Sequence, residues 1–211
     1  MHLVPRKRDR SGDDADPLNK EIGELLGSRI REQVRQKLVG REALPDGIVT
    51  IVFTDVEGST ELVRDLGDHQ AHPILRRHDE TVREVLTHHE GIEVERAGDA
   101  FMLAFRLPSK AVTFALALHD RLADEGEIRV RIGMDTGEVI REEKGYFGRT
   151  VFRAARIAEL GKGGQVLASE ATKVLADIAP DARFVDLGEK ELDGLGGSHR
   201  VFEVLPAVEG P

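Results

Sequence analysis

The chain has 211 residues, 40% of them hydrophobic, with no Cys and a formal net charge of -9. That length suits one domain with an appendage, and the lack of cysteine excludes disulfides, thiolate zinc sites and cysteine nucleophiles, so any metal is held by oxygen or imidazole. The acidic balance opposes binding to a phosphate backbone, no stretch approaches the apolar length of a bilayer span, and the start lacks the apolar centre of a signal peptide, so a cytoplasmic protein with no nucleic-acid or membrane partner is expected.

Residues 1–16 are charged and nearly free of large apolar side chains, which predicts a disordered tail; the basic run at 5–10 is diluted at once by Asp13, Asp14 and Asp16. Asp16 then caps a helix with Pro17 at its first position, where a missing N–H costs nothing. Ile22, Leu25, Leu26, Ile30, Val34 and Leu38 recur at three- and four-residue spacing, so the helix runs over 17–38 with one apolar stripe. That stripe either packs back on its own domain or serves as a signalling or dimerisation surface. Gly40, Pro45 and Gly47 mark a linker, which closes a helix-and-linker segment over 17–46.

The main domain is expected over 47–205, with a short tail at 206–211. "IVTIVFTDVE" is a buried strand that delivers Asp55 to its own end, and Ser59 or Thr60 after Gly58 begins a long helix to about His88. Two short strands, 92–96 and 101–105, flank a turn of Ala97, Gly98, Asp99 and Ala100 with Asp99 at its tip. A helix at 108–124 and a strand in "EIRVRIGMDTG" complete a βαββαβ order. This is an α+β, ferredoxin-like arrangement, a sheet covered by helices on one face. A strand at 137–141, a helix at about 149–160, "GGQVLAS" and "HRVFEVL" extend it, and no internal repeat is present.

Asp55 and Asp99 carry the strongest chemical signal. One ends a central strand and the other sits in a turn between strands able to neighbour it, and converging carboxylates suit Mg²⁺ or Mn²⁺, which take oxygen ligands and keep sites free for substrate phosphates. In "VEGST", the residues Glu57, Gly58, Ser59 and Thr60 set backbone N–H groups at a helix start where a polyphosphate can sit. A lone Asp in a glycine turn is ordinarily turn chemistry, so it is the pairing of the two turns that points to a site.

"FTDVEGST", "GDAFMLAF", "RIGMDTGEV" and "YFGRTVFRAARI" resemble, in order and spacing, the class III adenylyl/guanylyl cyclase catalytic domain, and "GGQVLASEAT" and "DLGEKEL" with "HRVFEVL" are similar to its later part. The resemblance covers about residues 47–205. It implies a homodimer with two interface sites acting on a nucleoside triphosphate, giving a 3',5'-cyclic nucleotide and pyrophosphate. It further implies that Asp55 and Asp99 bind two divalent cations (Mg or Mn) with help from the Val56 carbonyl, and that Arg156 steadies charge on the transferring phosphate. Arginine suits that task because its fork of donors meets several phosphoryl oxygens.

Departures from the family pattern bear on selectivity and on activity. Glu95 stands where the family has its adenine-reading lysine and Gly145 where it has the partner aspartate; a carboxylate at 95 accepts from guanine N1–H and N2, so the base choice leans to GTP over ATP. Guanine O6 would then need a donor such as Arg96, Lys144 or a backbone N–H, and the letters also admit a pyrimidine triphosphate. Phe152 replaces the ribose-orienting asparagine, either as a core residue on a dimer helix or as a ring that stacks on base or sugar. Asp193 falls near a triphosphate-binding lysine, for which Lys190 is a shifted substitute; Asp135 replaces a common histidine and is assigned no role. Three functions stay open: an active cyclase of non-adenine preference, a catalytically weak or dead dimeric cyclase-homology domain, and an interaction module working through helix 17–38.

Overall fold

The computed structural model describes residues 45–126, 128–143, 145–176, 179 and 181–207. The expected tail 1–16, helix 17–38 and most of the linker lie outside the described residues, as do Lys144 and the end of the tail at 206–211. The elements in chain order are β1 (Gly47–Val56), α1 (Ser59–Leu66), α2 (Asp68–His88), β2 (Ile92–Ala97), β3 (Ala100–Phe105), α3 (Pro108–Glu125), β4 (Val130–Glu142), β5 (Gly145–Phe147), α4 (Arg149–Leu160), β6 (Val166–Ser169), α5 (Glu170–Leu175), β7 (Ala182–Glu191) and β8 (Ser198–Pro206).

β1 is a near-continuous apolar run because it lies in the middle of the sheet, paired antiparallel to β3 on one side and β4 on the other. The strand order is β2-β3-β1-β4-β6-β8-β7, with β5 paired to β4 off that path. Its first four strands, with α1 and α2 as one crossover and α3 as the other, form the expected ferredoxin-like βαββαβ core of an α+β domain.

The sheet is covered on both faces, which corrects the expectation of helices on one face. Val52 and Val56 of β1, with Phe101, Leu103 and Phe105 of β3, pack under Val82 of α2 and Leu118 of α3. The alternate residues Val49, Ile51, Met102 and Ala104 pack on the other side against Tyr146 of β5 and Ala154 of α4. Period-two alternation along β1 and β3 thus feeds two separate cores, and each large side chain buried in them is worth roughly 1.5–3 kcal/mol. On the α2 and α3 face a chain of buried hydroxyls, Thr50 to Thr136 at 2.8 Å and Thr136 to Thr172 at 2.9 Å, keeps its polar atoms partnered.

Two boundaries also differ from the sequence expectation. The helix expected from 59 to 88 breaks at Gly67, whose φ of 74 lies in the region glycine favours and whose N–H closes α1 on Val63 O at 2.8 Å. The strands expected on either side of Gly137 are one strand, β4, because Gly137 is there for close approach and not for a turn: a Cβ on it would lie 2.7 Å from Thr150 Oγ1 of α4. The strands β5 and β7 and the helix α5 carry too short or too mixed a pattern to be announced by periodicity.

Candidate functional site

Antiparallel pairing of β1 and β4 sets Asp55 opposite Arg131. Arg131 Nε donates to Asp55 Oδ2 at 2.8 Å and its Nη2 donates to the same oxygen. Arg131 is 34% and Asp55 27% exposed, so the pair lies at the surface and not in the core. Sequence reasoning missed Arg131; the available signal was a cation within the apolar alternation of "RVRIGM".

The two-residue turn between β2 and β3 brings the second acid to the first. Gly98, with φ of 65, reverses the chain, and Asp99 Oδ2 accepts the Val56 N–H at 3.2 Å. Asp99 therefore bonds the residue next to Asp55 and ties its turn to the end of β1, while the Asp55 carboxylate itself rests on Arg131. Whether this donor set fits divalent cations follows from its chemistry. It offers oxygen only, and among the described residues no group of three or more His, Cys, Asp or Glu could hold a metal. Two carboxylates with open positions left for carbonyl, water and phosphate oxygens fit Mg²⁺ or Mn²⁺ and not a structural zinc.

The turn between β1 and α1 divides its roles. Glu57 is spoken for: its N–H donates to Arg129 O at 2.9 Å and its Oε1 accepts the Gly163 N–H at 2.9 Å. As a phosphate-binding amide Glu57 is therefore corrected to a brace between β1 and the α4–β6 loop. Gly58, with φ of 70, precedes α1, and the first-turn amides at Ser59 and Thr60 have no intrahelical acceptor. Ser59, Thr60 and Asp99 line one side of a cleft of about 670 Å³.

Glu95 lies opposite Met102 after a bulge in β2, on the strand's exposed side. Gly145 opens β5 with φ of 157, and a Cβ on it would stand 3.3 Å from Cγ1 of Val94, the neighbour of Glu95 on β2. Arg96 turns the other way. Its Nη2 pairs with Asp79 Oδ2 of α2 at 2.5 Å and its guanidinium lies 5.6 Å from the Phe101 ring on the α2 face, which corrects its candidacy as an O6 donor beside Glu95.

α4 carries the remaining candidates. Phe152 is 48% exposed and meets Phe147, itself 49% exposed, edge-to-face with centroids 5.6 Å apart. It is not part of this chain's own core. Arg156 Nη1 donates to both carboxylate oxygens of Glu159, at 2.7 and 2.6 Å, and its Nε donates to Asp193 O at 3.1 Å. Within one chain Arg156 is thus drawn to the β7–β8 loop, and the structure does not bring it to Asp55 and Asp99. Asp193 contributes its carbonyl to that contact, and Lys190 pairs in register with His199 on β8. Asp135 is fully buried beneath α4 and receives Arg153 Nη1 at 3.0 Å; burial pushes its carboxyl up from the ordinary carboxylate range, with Ser169 and Arg153 opposing. No described helix is long and apolar enough to cross a membrane.

Comparison with known proteins reaches the same architecture. A relative from Mycobacterium tuberculosis, an uncharacterized protein, is 41% identical over 155 residues, covering 72% of this chain and 53% of its own length. The chain thus spans about half of that relative. A receptor-type adenylate cyclase of Trypanosoma brucei brucei is 30% identical over 221 residues, covering 79% of this chain and 17% of that protein. Among solved structures, an adenylate cyclase from Trypanosoma brucei in its monomeric state aligns with a TM-score of 0.67 at 28% identity, over 76% of this chain and 90% of that one. A guanylate cyclase domain from Catenaria anguillulae, solved with GTP, shares the fold with a TM-score of 0.66 at 22% identity, over 76% and 97%. Residues 42–204 match the family described as the adenylate and guanylate cyclase catalytic domain. Motif order, the βαββαβ core and this match agree, and the chain belongs to the class III adenylate and guanylate cyclase catalytic domain family.

Proposed function

We propose that the chain is a nucleotide cyclase working as a homodimer, converting a nucleoside triphosphate, GTP in preference to ATP, into a 3',5'-cyclic nucleotide and pyrophosphate. The observation that supports this is the contact of Asp99 with the Val56 amide, which ties the β2–β3 turn to the end of β1 that carries Asp55. Asp55 and Asp99, with the Val56 carbonyl, would hold two divalent cations, Mg or Mn, which would supply charge to acidify the ribose 3'-hydroxyl and to offset the charge of the triphosphate. The amides of Gly58, Ser59 and Thr60 receive phosphate oxygens at the α1 start. Arg131, two of whose donors now rest on Asp55, turns to a phosphate oxygen when that carboxylate is engaged elsewhere. The 3'-oxygen forms its bond to the α-phosphorus, its proton passes to solvent, and the bond to the β-phosphate oxygen breaks to release pyrophosphate.

Arg156 completes the site from the partner chain. In support, the surface around it on α4 and β5 is apolar and exposed at Phe147 and Phe152, with Ile140 beside Phe147 in register, and exposed patches of this kind mark association surfaces. The test is direct: the purified chain is incubated with each of the four nucleoside triphosphates and Mn²⁺, and cyclic monophosphate and pyrophosphate are measured. Formation of both from GTP supports the proposal; neither product from any of the four overturns it. A second reading, a dimeric cyclase-homology domain without turnover, is favoured by one observation, the side chain of Phe152 set edge-to-face against Phe147 where an amide would orient ribose.

Phe152→Asn separates the two. As a half-exposed residue it costs the fold only its ring contact, about 1 kcal/mol, and if ribose lies against it turnover rises by about tenfold or more, chiefly in kcat. A looser dimer with unchanged turnover would assign Phe152 to interface packing alone. For the base, Glu95→Lys is expected to shift preference toward ATP by about tenfold. It is better made alone, because Gly145→Asp adds strain at φ of 157 and a Cβ 3.3 Å from Val94. An unchanged ranking of the four triphosphates would remove Glu95 from base selection.

A further inference from the structure

We propose that Asp135 and Arg153 form a positioning pair that sets where α4 sits on the sheet, and through it where Phe152 and Arg156 point; the catalytic part of this rests on the cyclase reading above.

On β4, Gly133, Asp135 and Gly137 face α4 while Ile132, Met134 and Thr136 face the other layer. Both glycines are spaces that the helix fills. A Cβ at Gly133 would lie 2.1 Å from the backbone N of Ala158, and one at Gly137 would lie 2.7 Å from Thr150 Oγ1. Thr150 also donates to Glu138 O at 2.8 Å. Asp135 is therefore the one side chain that β4 raises between these two close approaches; the α4 group it meets is Arg153 at 3.0 Å, and Ser169 of β6 also bonds it. Thr150, Arg153, Ala154 and Ala158 lie on the sheet-facing side of α4, spaced by three and four residues, whereas Phe152 and Arg156 fall outside that spacing.

Contact at glycine without side-chain interlock resists approach and allows sliding and rotation. A buried charge pair does the opposite, since its attraction depends on distance and direction, and leaving either partner alone in the interior is strongly unfavourable. Asp135 is 0% exposed while the Arg153 side chain is 27% exposed, so the carboxylate has no recourse to solvent and depends on the guanidinium that meets it at 3.0 Å. Arg153 stands one residue after Phe152 and three before Arg156, so a shift that breaks the pair moves both. A displacement of about 1 Å at reacting groups costs on the order of a hundredfold in rate.

The experiment uses the full chain with four variants and two readouts, amide hydrogen exchange along α4 and steady-state kinetics with the preferred triphosphate and Mn²⁺. Asp135→Asn is expected to speed exchange in α4 by about tenfold or more with α2 and α3 unchanged, and to lower kcat by about 10- to 100-fold with KM within about twofold. Arg153→Lys, which keeps the charge, should recover part of both. The double variant Asp135→Val with Arg153→Leu removes the buried charges together, so its melting temperature should return toward that of the parent chain while kcat stays low. Thr136→Val, on the same strand but facing the opposite layer, lowers melting with kcat unchanged while the protein is folded. The proposal is overturned if Asp135→Asn leaves exchange in α4 unaltered, if the double variant regains full kcat, or if Thr136→Val loses as much kcat as Asp135→Asn. Should the parent chain turn over none of the four triphosphates, the cyclase reading fails on its own, and exchange in α4 still decides whether this pair seats the helix.

Discussion

Asp99→Ala is expected to remove cyclic-nucleotide formation, by about a thousandfold or more, while leaving the fold nearly intact. The loss is large because in the proposed site the carboxylate is one of two that would hold the triphosphate's cations, and removal of a group that compensates charge in a transition state costs on the order of a hundredfold to a thousandfold even where no metal depends on it. The structural cost is small because Asp99 belongs to a surface turn whose bond to the fold is the 3.2 Å contact with the Val56 amide, worth about 1 kcal/mol. Asp55→Ala should act alike. There Arg131 loses its acceptor, but about a third of that side chain is in water, which takes over its donors. Turnover and melting temperature, measured on the same preparations, check both variants, and substantial turnover in Asp99→Ala would overturn the two-carboxylate site.

The largest expected effect on stability is at a residue with no side chain. Gly133→Ala sets a methyl group 2.1 Å from the N and 2.4 Å from the Cα of Ala158, both backbone atoms of α4 that can retreat only if the helix moves. Such overpacking costs about 2–3 kcal/mol or more, a fall in melting temperature of roughly 5–10 °C for a domain of this size. Since α4 carries Arg156, turnover should fall with it. Gly126→Ala is the control: its φ of 68 strains an alanine, yet nothing lies within 4 Å of the added Cβ, so the cost stays near the 1–2 kcal/mol of a left-handed residue. Equal denaturant midpoints for the two variants would show that α4 does not rest on β4 at Gly133.

These cases mark the division between what could be read from letters and what could not. β1 and its terminal Asp55, the turn presenting Asp99, and the helices near 108–124 and 149–160 were legible, because a buried strand, a glycine turn and a 3.6-residue repeat are local properties written within ten or twenty neighbouring residues. The types of group at the site, two acids and a glycine turn before a helix, were legible for the same reason. Glycine, however, is ambiguous in a sequence. Gly67 divides two helices and Gly137 lets a helix settle on a strand, yet both present the same letter, and only the neighbour across space tells a φ requirement from a close approach. Partners are settled in the same way. Arg131 finds Asp55 through strand register, Arg153 finds Asp135 because α4 crosses β4, and Arg96 is drawn to Asp79 although it adjoins Glu95 in the chain. Alternation places neighbouring side chains on opposite faces, so adjacency in sequence is evidence against a shared site in a strand, and what faces what depends on pairings between segments far apart in the chain. By itself the sequence determined the elements and the chemistry they carry; the tertiary structure decided that Phe152 lies exposed on the surface, that Glu57 is a brace, and that the turn carrying Asp99 bonds the end of β1, because register and layer packing are properties of the assembled sheet and of no single segment.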